Sequence, residues 1–276
     1  MQIHMSFASI RRLCIVLLAV GFVLGARLAT PAAAEAESGV QIAQAPADTA
    51  NDPLETFNRA VFEFNESLQT ILLRPLAEVY KFILPDFLEE GVHNILANLR
   101  APVILANDLL QFEGGRALQT IERFVINSTI GVAGFMDVAE DMGIPGHSED
   151  FGQTLGSWGV GEGFYLVLPV LGPSNPRDAI GKLADIYLDP LGQWASNTDQ
   201  DEITYSRTGV SGLDTYSRVM EDLKKLKETS IDYYAAVRSI TRQRREAEIR
   251  NRTAEGAPLP NIRYDFSAGL PPNDKN

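Results

Sequence analysis

Apolar residues recur at the spacing of α-helices along most of this chain. Leu54, Phe57, Val61, Phe64 or Asn65, Leu68, Ile71 and Leu72 mark one face of a first helix. It opens on Asp52-Pro53-Leu54-Glu55, where Asp52 caps, Pro53 takes the first helical position and Glu55 completes a capping box. Pro75 is expected to interrupt it, because proline lacks the N–H that a helix interior needs. A second stretch spans Leu76 to Phe82 and ends near Pro85, and a third runs from Phe87 through Val92, Ile95, Leu96 and Leu99 to Pro102. Val103 to Phe112 is apolar on nearly all sides, Asn107 and Asp108 excepted. After Gly114 and Gly115, Ala117, Leu118, Ile121, Phe124 and Val125 predict another amphipathic helix.

The period changes in the middle. Phe151 to Gly172 carries Gly152, Gly156, Gly159, Gly161, Gly163 and Gly172 among Trp158, Phe164 and Tyr165, and Tyr165 to Leu171 fits a strand or hairpin arm. Asn175-Pro176 restarts helical structure, with Asn as cap, Pro at the first position and Asp178 in the first turn. One long final helix is expected from Ser211 to Arg252, its stripe made by Leu213, Tyr216, Met220, Leu223, Tyr233, Val237 and Ile240. Beyond Val237 its other faces are basic. They suit either a solvated helix end or contact with an acidic partner or anionic headgroups. The fold class is therefore mainly α, with one Gly-rich hairpin-like segment and a long C-terminal helix.

The chain ends read differently. Arg11 and Arg12 precede an apolar run from Leu13 to Leu24, followed by Thr30-Pro31-Ala32-Ala33-Ala34, the three parts of a secretory signal. That run is well short of the roughly 20 residues a bilayer span takes. Residues 1–34 are thus expected to be removed on export. Residues 35–51 read as a disordered leader, 52–252 as a single helical domain, and 253–276 as a Pro- and Asn-rich tail.

Charge and composition narrow the chemistry. Lys plus Arg is 24 against 36 Asp plus Glu, a net charge of −12, which repels nucleic acid. The sole cysteine, Cys14, lies at the head of the signal's apolar run rather than at its end, so neither a disulfide nor a lipid-bearing cysteine is expected. No metal, cofactor or catalytic signature emerges. Gly159-Val160-Gly161-Glu162-Gly163 lacks phosphate-loop spacing, and Asp199 with Asp201 lacks the later positions of a calcium loop. His147-Ser148-Glu149-Asp150 reads as a surface loop, with acid–base work as its sharper alternative. What exceeds the needs of a small helical globule is apolar surface. It fits either a core or contact with acyl chains.

Three ordered blocks resemble one family. Asp52-Pro53-Leu54-Glu55 with Phe57-Asn58-Arg59 and Phe62 to Asn65 is similar to the opening of the MlaA/VacJ family. Arg123 to Gly131 with Gly134 to Ala139 forms a second block, and Phe151-Gly152-x-Thr154-Leu155-Gly156-x-Trp158-Gly159-Val160-Gly161-x-Gly163, continued by Leu168-Pro169, Gly172 and Arg177-Asp178, forms the third. The resemblance implies a compact ring-like bundle of short amphipathic helices in the periplasmic leaflet of the outer membrane, with a channel for phospholipid. It implies a trimeric porin and a soluble periplasmic lipid carrier as partners, no cofactor, and no enzymatic step. It directs attention to Trp158, Gly161, Phe164 and Tyr165, in a segment that is either a movable lip of the channel or a static hairpin sealing the core. Arg207, ahead of the final helix, is then either a solvent-exposed residue at a helix start or a channel cation, and Phe57, Asn58, Val61 and Phe64 form a first-helix face toward membrane or channel. The competing readings are a soluble periplasmic helical adaptor without a channel, and a hydrolase built on His147.

Overall fold

A computed structural model of the chain describes residues 51–250; the expected signal, most of the leader and the tail lie outside them. The chain divides into a unit over Met1–Thr49 and a unit over Ala50–Asn276. The helices of the second unit are α1 (Glu55–Leu68), a π-helical turn (Gln69–Leu73), α2 (Arg74–Ile83), α3 (Asp86–Leu110), α4 (Gly114–Thr129), α5 (Val138–Asp141) and α6 (Phe151–Ser157). A two-stranded antiparallel hairpin comes next, β1 (Leu166–Leu168) with β2 (Gly172–Ser174), in register Val167 opposite Pro173. The chain then runs through α7 (Pro176–Leu188), α8 (Pro190–Asn197), α9 (Asp201–Thr229) and α10 (Tyr233–Ile249).

Packing closes a circuit around the unit. α1 lies on β1, β2 on α10, α10 on α6, α6 on α7, α7 on α8, α8 on α9, α9 on α2, and α2 returns through the π turn to α1. α3 and α4 pair with each other, and α3 also touches α6, α7, α8 and α9. The mainly α fold is as expected.

Several boundaries differ from the sequence reading, each for a physical reason. Pro75 does not break the first helix. The π turn from Gln69 to Leu73 shifts the bonding pattern, and Pro75 enters α2 where a missing N–H is tolerated. Pro102 sits inside the 25-residue α3, so the two apolar stretches on either side of it are one helix. The expected final helix is two. Ser230 is extended at φ −88, ψ 137, and the Asp232 side chain accepts from the Ala235 N–H to start α10 afresh. α9 also begins at Asp201, so Arg207 lies within it rather than ahead of it.

The predicted capping box at Asp52 is absent. Leu54 stands at the N-cap with no side-chain bond, while Asp52 accepts from Asn58 Nδ2 at 2.7 Å and Arg238 Nη1 at 3.0 Å, and from the Tyr234 hydroxyl. A buried charge network has taken the carboxylate that a local cap would use. Asn175 caps α7 as expected, accepting from the Asp178 N–H at 2.8 Å, with Pro176 at the first position.

The distribution of polarity is inverted. Buried positions are held by Asn58, Asn107, Asp108, Thr154, Asp214 and Ser217, while the apolar cluster of Tyr165, Val167 and Tyr234, with Val61 and Phe62 against it, is small. Outside, Phe82 and Phe112 are each 90% exposed, and Ile71, Ile83, Phe87, Leu118, Ile130 and Ile180 are exposed with them. Water-soluble domains bury such side chains and rarely show apolar patches beyond a few hundred Å². The apolar-core alternative left open by periodicity is thus the minor component.

Candidate functional site

The polar interior begins with asparagines on α1. Asn58 and Asn65 are buried, and each offers a side-chain amide to the free edge of β1. Asn58 donates to the Tyr165 carbonyl at 3.0 Å and accepts from the Val167 N–H at 2.9 Å; Asn65 donates to the Leu168 carbonyl at 2.9 Å and accepts from the Val170 N–H at 2.7 Å. An amide has one donor side and one acceptor side, so it copies the bonding of a neighbouring strand. β1 is thereby held on both edges, by β2 on one side and by the α1 amides on the other.

A second network joins α3 to α4, α6 and α7. Asn107 donates to Asp185 at 3.1 Å and accepts from the Thr154 hydroxyl at 2.8 Å. Glu149, fully buried, takes Arg116 at 2.6 Å and Gln111 at 2.7 Å, and Asp108 takes the Thr120 hydroxyl at 2.6 Å and His147 Nε2 at 3.0 Å. Burial pushes the Glu149 carboxyl above its ordinary value despite Gln111 and Arg116. The His147–Asp150 stretch is therefore an internal polar brace rather than the expected surface loop. Thr120 and Asp108 both meet the same ring nitrogen of His147, whereas a hydrolase relay uses the two nitrogens separately.

The third network fastens α10. Arg245 reaches both Asp150 oxygens at 2.7 Å and Asp178 at 2.9 Å. Asp150 also caps α6 by accepting from the Gln153 N–H. Burial alone would push the Asp150 carboxyl up; the Arg245 pair outweighs it and holds the group below its ordinary value. Beneath this pair α6 and α7 touch backbone to backbone. A Cβ on Gly181 would lie 2.3 Å from the Gly152 nitrogen, so glycine is required there.

Among the described residues, two open cavities of about 620 and 610 Å³ cut into the unit. The first lies among α3, α4, α9 and the segment around His147, and the second among the hairpin, α7 and α10. Arg100 of α3, Thr215 of α9 and Arg244 of α10 line both. The two spaces adjoin at these residues. His93 borders the first cavity and pairs through Nδ1 with buried Asp214 at 2.8 Å.

The residues named from sequence fall in different places. Tyr165 lines the second cavity and packs edge-on to Tyr234 in the small apolar cluster, so it is not part of a free lip. Trp158 is exposed, donates to the Leu110 carbonyl at 3.0 Å and meets Phe151 edge-on; neither it, Gly161 nor Phe164 borders the two cavities. Gly161 has open space around its Cα and no positive φ; the left-handed glycines nearby are Gly159 and Gly163. Arg207 donates through both terminal guanidinium nitrogens, Nη1 and Nη2, to Asp189, so it is not an unpaired channel cation. On α1, Phe57 and Phe64 face outward as expected, but Asn58 is fully buried under the hairpin and Val61 packs on the apolar cluster.

Sequence reasoning missed Arg100. The signal was present: it is the only Asp, Glu, Lys or Arg between Glu90 and Asp108, in an otherwise apolar or amide-bearing helix.

The same architecture occurs among known proteins. The family model MlaA lipoprotein matches residues 50–248. An uncharacterized protein of Rickettsia bellii is 36% identical over 72% of this chain and 76% of its own length. The intermembrane phospholipid transport system lipoprotein MlaA of Escherichia coli K12 is 31% identical over 71% of this chain and 77% of its own, and that of Haemophilus influenzae is 31% identical over 66% and 73%. A chain solved in work on the structural basis for maintenance of bacterial outer membrane lipid asymmetry superposes with a TM-score of 0.64 at 31% identity, covering 72% of this chain and 98% of that one. The chain belongs to the MlaA lipoprotein family.

Proposed function

We infer that this chain is an outer-membrane component of intermembrane phospholipid transport that maintains lipid asymmetry. Phospholipids misplaced in the outer leaflet enter its interior and pass to a soluble periplasmic carrier. The observation that carries this reading is the inverted polarity: apolar side chains outside, and polar networks around two adjoining cavities inside. Such a body is stable among acyl chains, which solvate the belt, while a headgroup meets dipoles rather than hydrocarbon. No helix among the described residues is long and apolar enough to cross a membrane. A position within one leaflet, with the apolar belt in the acyl layer, accommodates that.

A trimeric outer-membrane porin is the partner we propose beside the belt. Cys14, the single cysteine, heads the signal-like run, so the attachment proposed rests on the belt and the porin rather than on a lipidated cysteine. The work is transfer without bond cleavage, and the adaptor reading leaves the belt without a purpose. The test is deletion of the gene followed by measurement of outer-leaflet phospholipid. We expect accumulation that the intact gene reverses; unchanged asymmetry overturns the proposal.

A further inference from the structure

Among the charged groups on the second cavity, nearly all are committed to one another. Asp150 and Asp178 are held by Arg245, Glu162 by Arg242, and Glu248 by Arg244 and Arg245. Asp185 accepts from Asn107 and from the Phe151 N–H. Two cations stand apart. Arg100, on α3 where the two cavities meet, is exposed and makes no hydrogen bond or ion pair among the described residues. Lys182, on α7, is exposed on the same cavity and likewise makes none.

We propose that Arg100, at the junction of the two cavities, and Lys182, on the wall of the second, form a phosphodiester subsite where the phosphate of a phospholipid pauses on its way through. This rests on the transport reading above and names the group in the passage that is recognised. A guanidinium carries five donors in a fixed fork suited to phosphate oxygens, and an ammonium on α7 adds a point charge to the same cavity. Arg244, engaged through Nε with Glu248 at 2.8 Å, keeps part of its fork at the same junction. The uncommitted charge of Arg100 thus coincides with the place where a headgroup leaves one cavity for the next, and that of Lys182 lies within the second. The protein packed about its stem lowers the Lys182 ammonium from its ordinary value, with Asp178 acting against it, and an arriving anion would favour the charged form. Burial raises the Asp185 carboxyl while Arg100 pulls it down, so Arg100 acts on that acid through space without pairing to it.

The test is native mass spectrometry of the full-length mature protein in an uncharged detergent, titrated with a short-chain phosphatidylglycerol and with the diacylglycerol of the same chains. Loss of the cations in an Arg100→Gln, Lys182→Gln double variant should weaken phosphatidylglycerol about tenfold or more, from removing charge-assisted bonds, and leave diacylglycerol unchanged. Arg100→Lys should recover part of the loss. Both side chains are exposed, so melting temperatures should match wild type. Inorganic phosphate at matched ionic strength should not displace the lipid; displacement overturns the lipid assignment in favour of a free-phosphate site. Equal phosphatidylglycerol binding by wild type and double variant overturns the subsite while leaving the passage standing. A wild-type protein that takes up no phospholipid overturns the transport reading itself.

Discussion

Asn58 and Asn65 lie two helical turns apart on α1, and together their amides occupy the whole outer edge of the hairpin from Tyr165 to Val170. A helix therefore does the work of a third strand. Replacing Asn58 with Leu leaves the Tyr165 carbonyl and Val167 N–H without partners in a buried site. Each orphaned group costs about 1–3 kcal/mol. Amide exchange at Val167 should accelerate in Asn58→Leu, and at Val170 in Asn65→Leu. If the hairpin amides stay equally protected in both variants, the amides are not what holds it.

The contact between Gly152 and Gly181 is a steric requirement. Gly181→Ala puts a Cβ against backbone, which cannot yield as a side-chain tip can. The cost should reach several kcal/mol and lower the melting temperature by many degrees, on the scale of about 1–3 kcal/mol or more for overpacking a well-packed site. Gly161→Val is the control. Its surroundings are open and its φ is not left-handed, so stability should stay within about 0.5 kcal/mol of wild type. A transport loss in Gly161→Val at normal stability would then report motion of the loop rather than misfolding, which keeps the lip proposal open to measurement.

Helical period, the Asn175-Pro176 start and the hairpin were legible because each depends on nearby residues alone. Which way each helix faces was not. Periodicity marks an apolar stripe without stating whether protein or lipid covers it, and here the amide-bearing faces turn inward, with Asn58 and Asn65 on α1 and Asn107 on α3. Asp52 shows the other limit. As a local cap it satisfied every rule, yet Asn58, Tyr234 and Arg238 claim it, two of them from far along the chain. Pro75 and Pro102 mislead for a related reason: a π turn and surrounding packing absorb the lost bond. The three family blocks located the architecture, but a motif does not say which cation is paired. Arg207 is held by Asp189, and Arg100 is not held.

The Asp150–Arg245 pair predicts an acid limit to stability. Asp150 has a folded pKa below its ordinary value, so its contribution is present above the unfolded value, about 4, and is lost as pH falls through the folded one. Glu149 and Asp185 run the other way. Their folded values are raised by burial, so their contribution is largest below about pH 4 and declines as pH rises through the folded values. Removing Arg245 strands two carboxylates together. Arg245→Met should cost about 3–5 kcal/mol at neutral pH, by analogy with breaking buried pairs. Asp150→Asn should flatten the acid limb of a melting-temperature profile; a profile with the wild-type slope would place the acid sensitivity elsewhere.

Arg207 and Asp189 make a two-pronged pair between α9 and the start of α8, with Asp189 mostly buried. Charge reversal at Arg207 sets two carboxylates against each other there. Arg207→Asp should therefore lower the melting temperature in detergent, and any transport defect should follow the loss of folded protein. The swap Arg207→Asp with Asp189→Arg should restore part of the stability. If Arg207→Asp melts like wild type and still loses transport, the residue acts on lipid directly, as a channel cation would.

The outward belt predicts a dissociation between folding and membrane residence. Phe82, at the end of α2, is 90% exposed and touches little of the protein, so Phe82→Asp removes no internal packing. Melting in detergent should change by less than about 0.5 kcal/mol, as for ordinary surface positions. In a bilayer the same change is costly. It withdraws a phenyl ring worth about 1.5–3 kcal/mol of burial and sets a carboxylate against acyl chains. Adding Phe87→Asp, one short turn away across Pro85, should compound the effect because both side chains point outward. Flotation of purified protein with liposomes separates the alternatives. Wild type should rise with the vesicles and the double variant should remain in the dense fraction, with the same melting curve. Equal flotation of both would mean that this end of α2 lies outside the acyl layer, and that the belt meets lipid elsewhere, as along α4 and α7, where Leu118, Ile121, Ile180 and Leu183 are exposed.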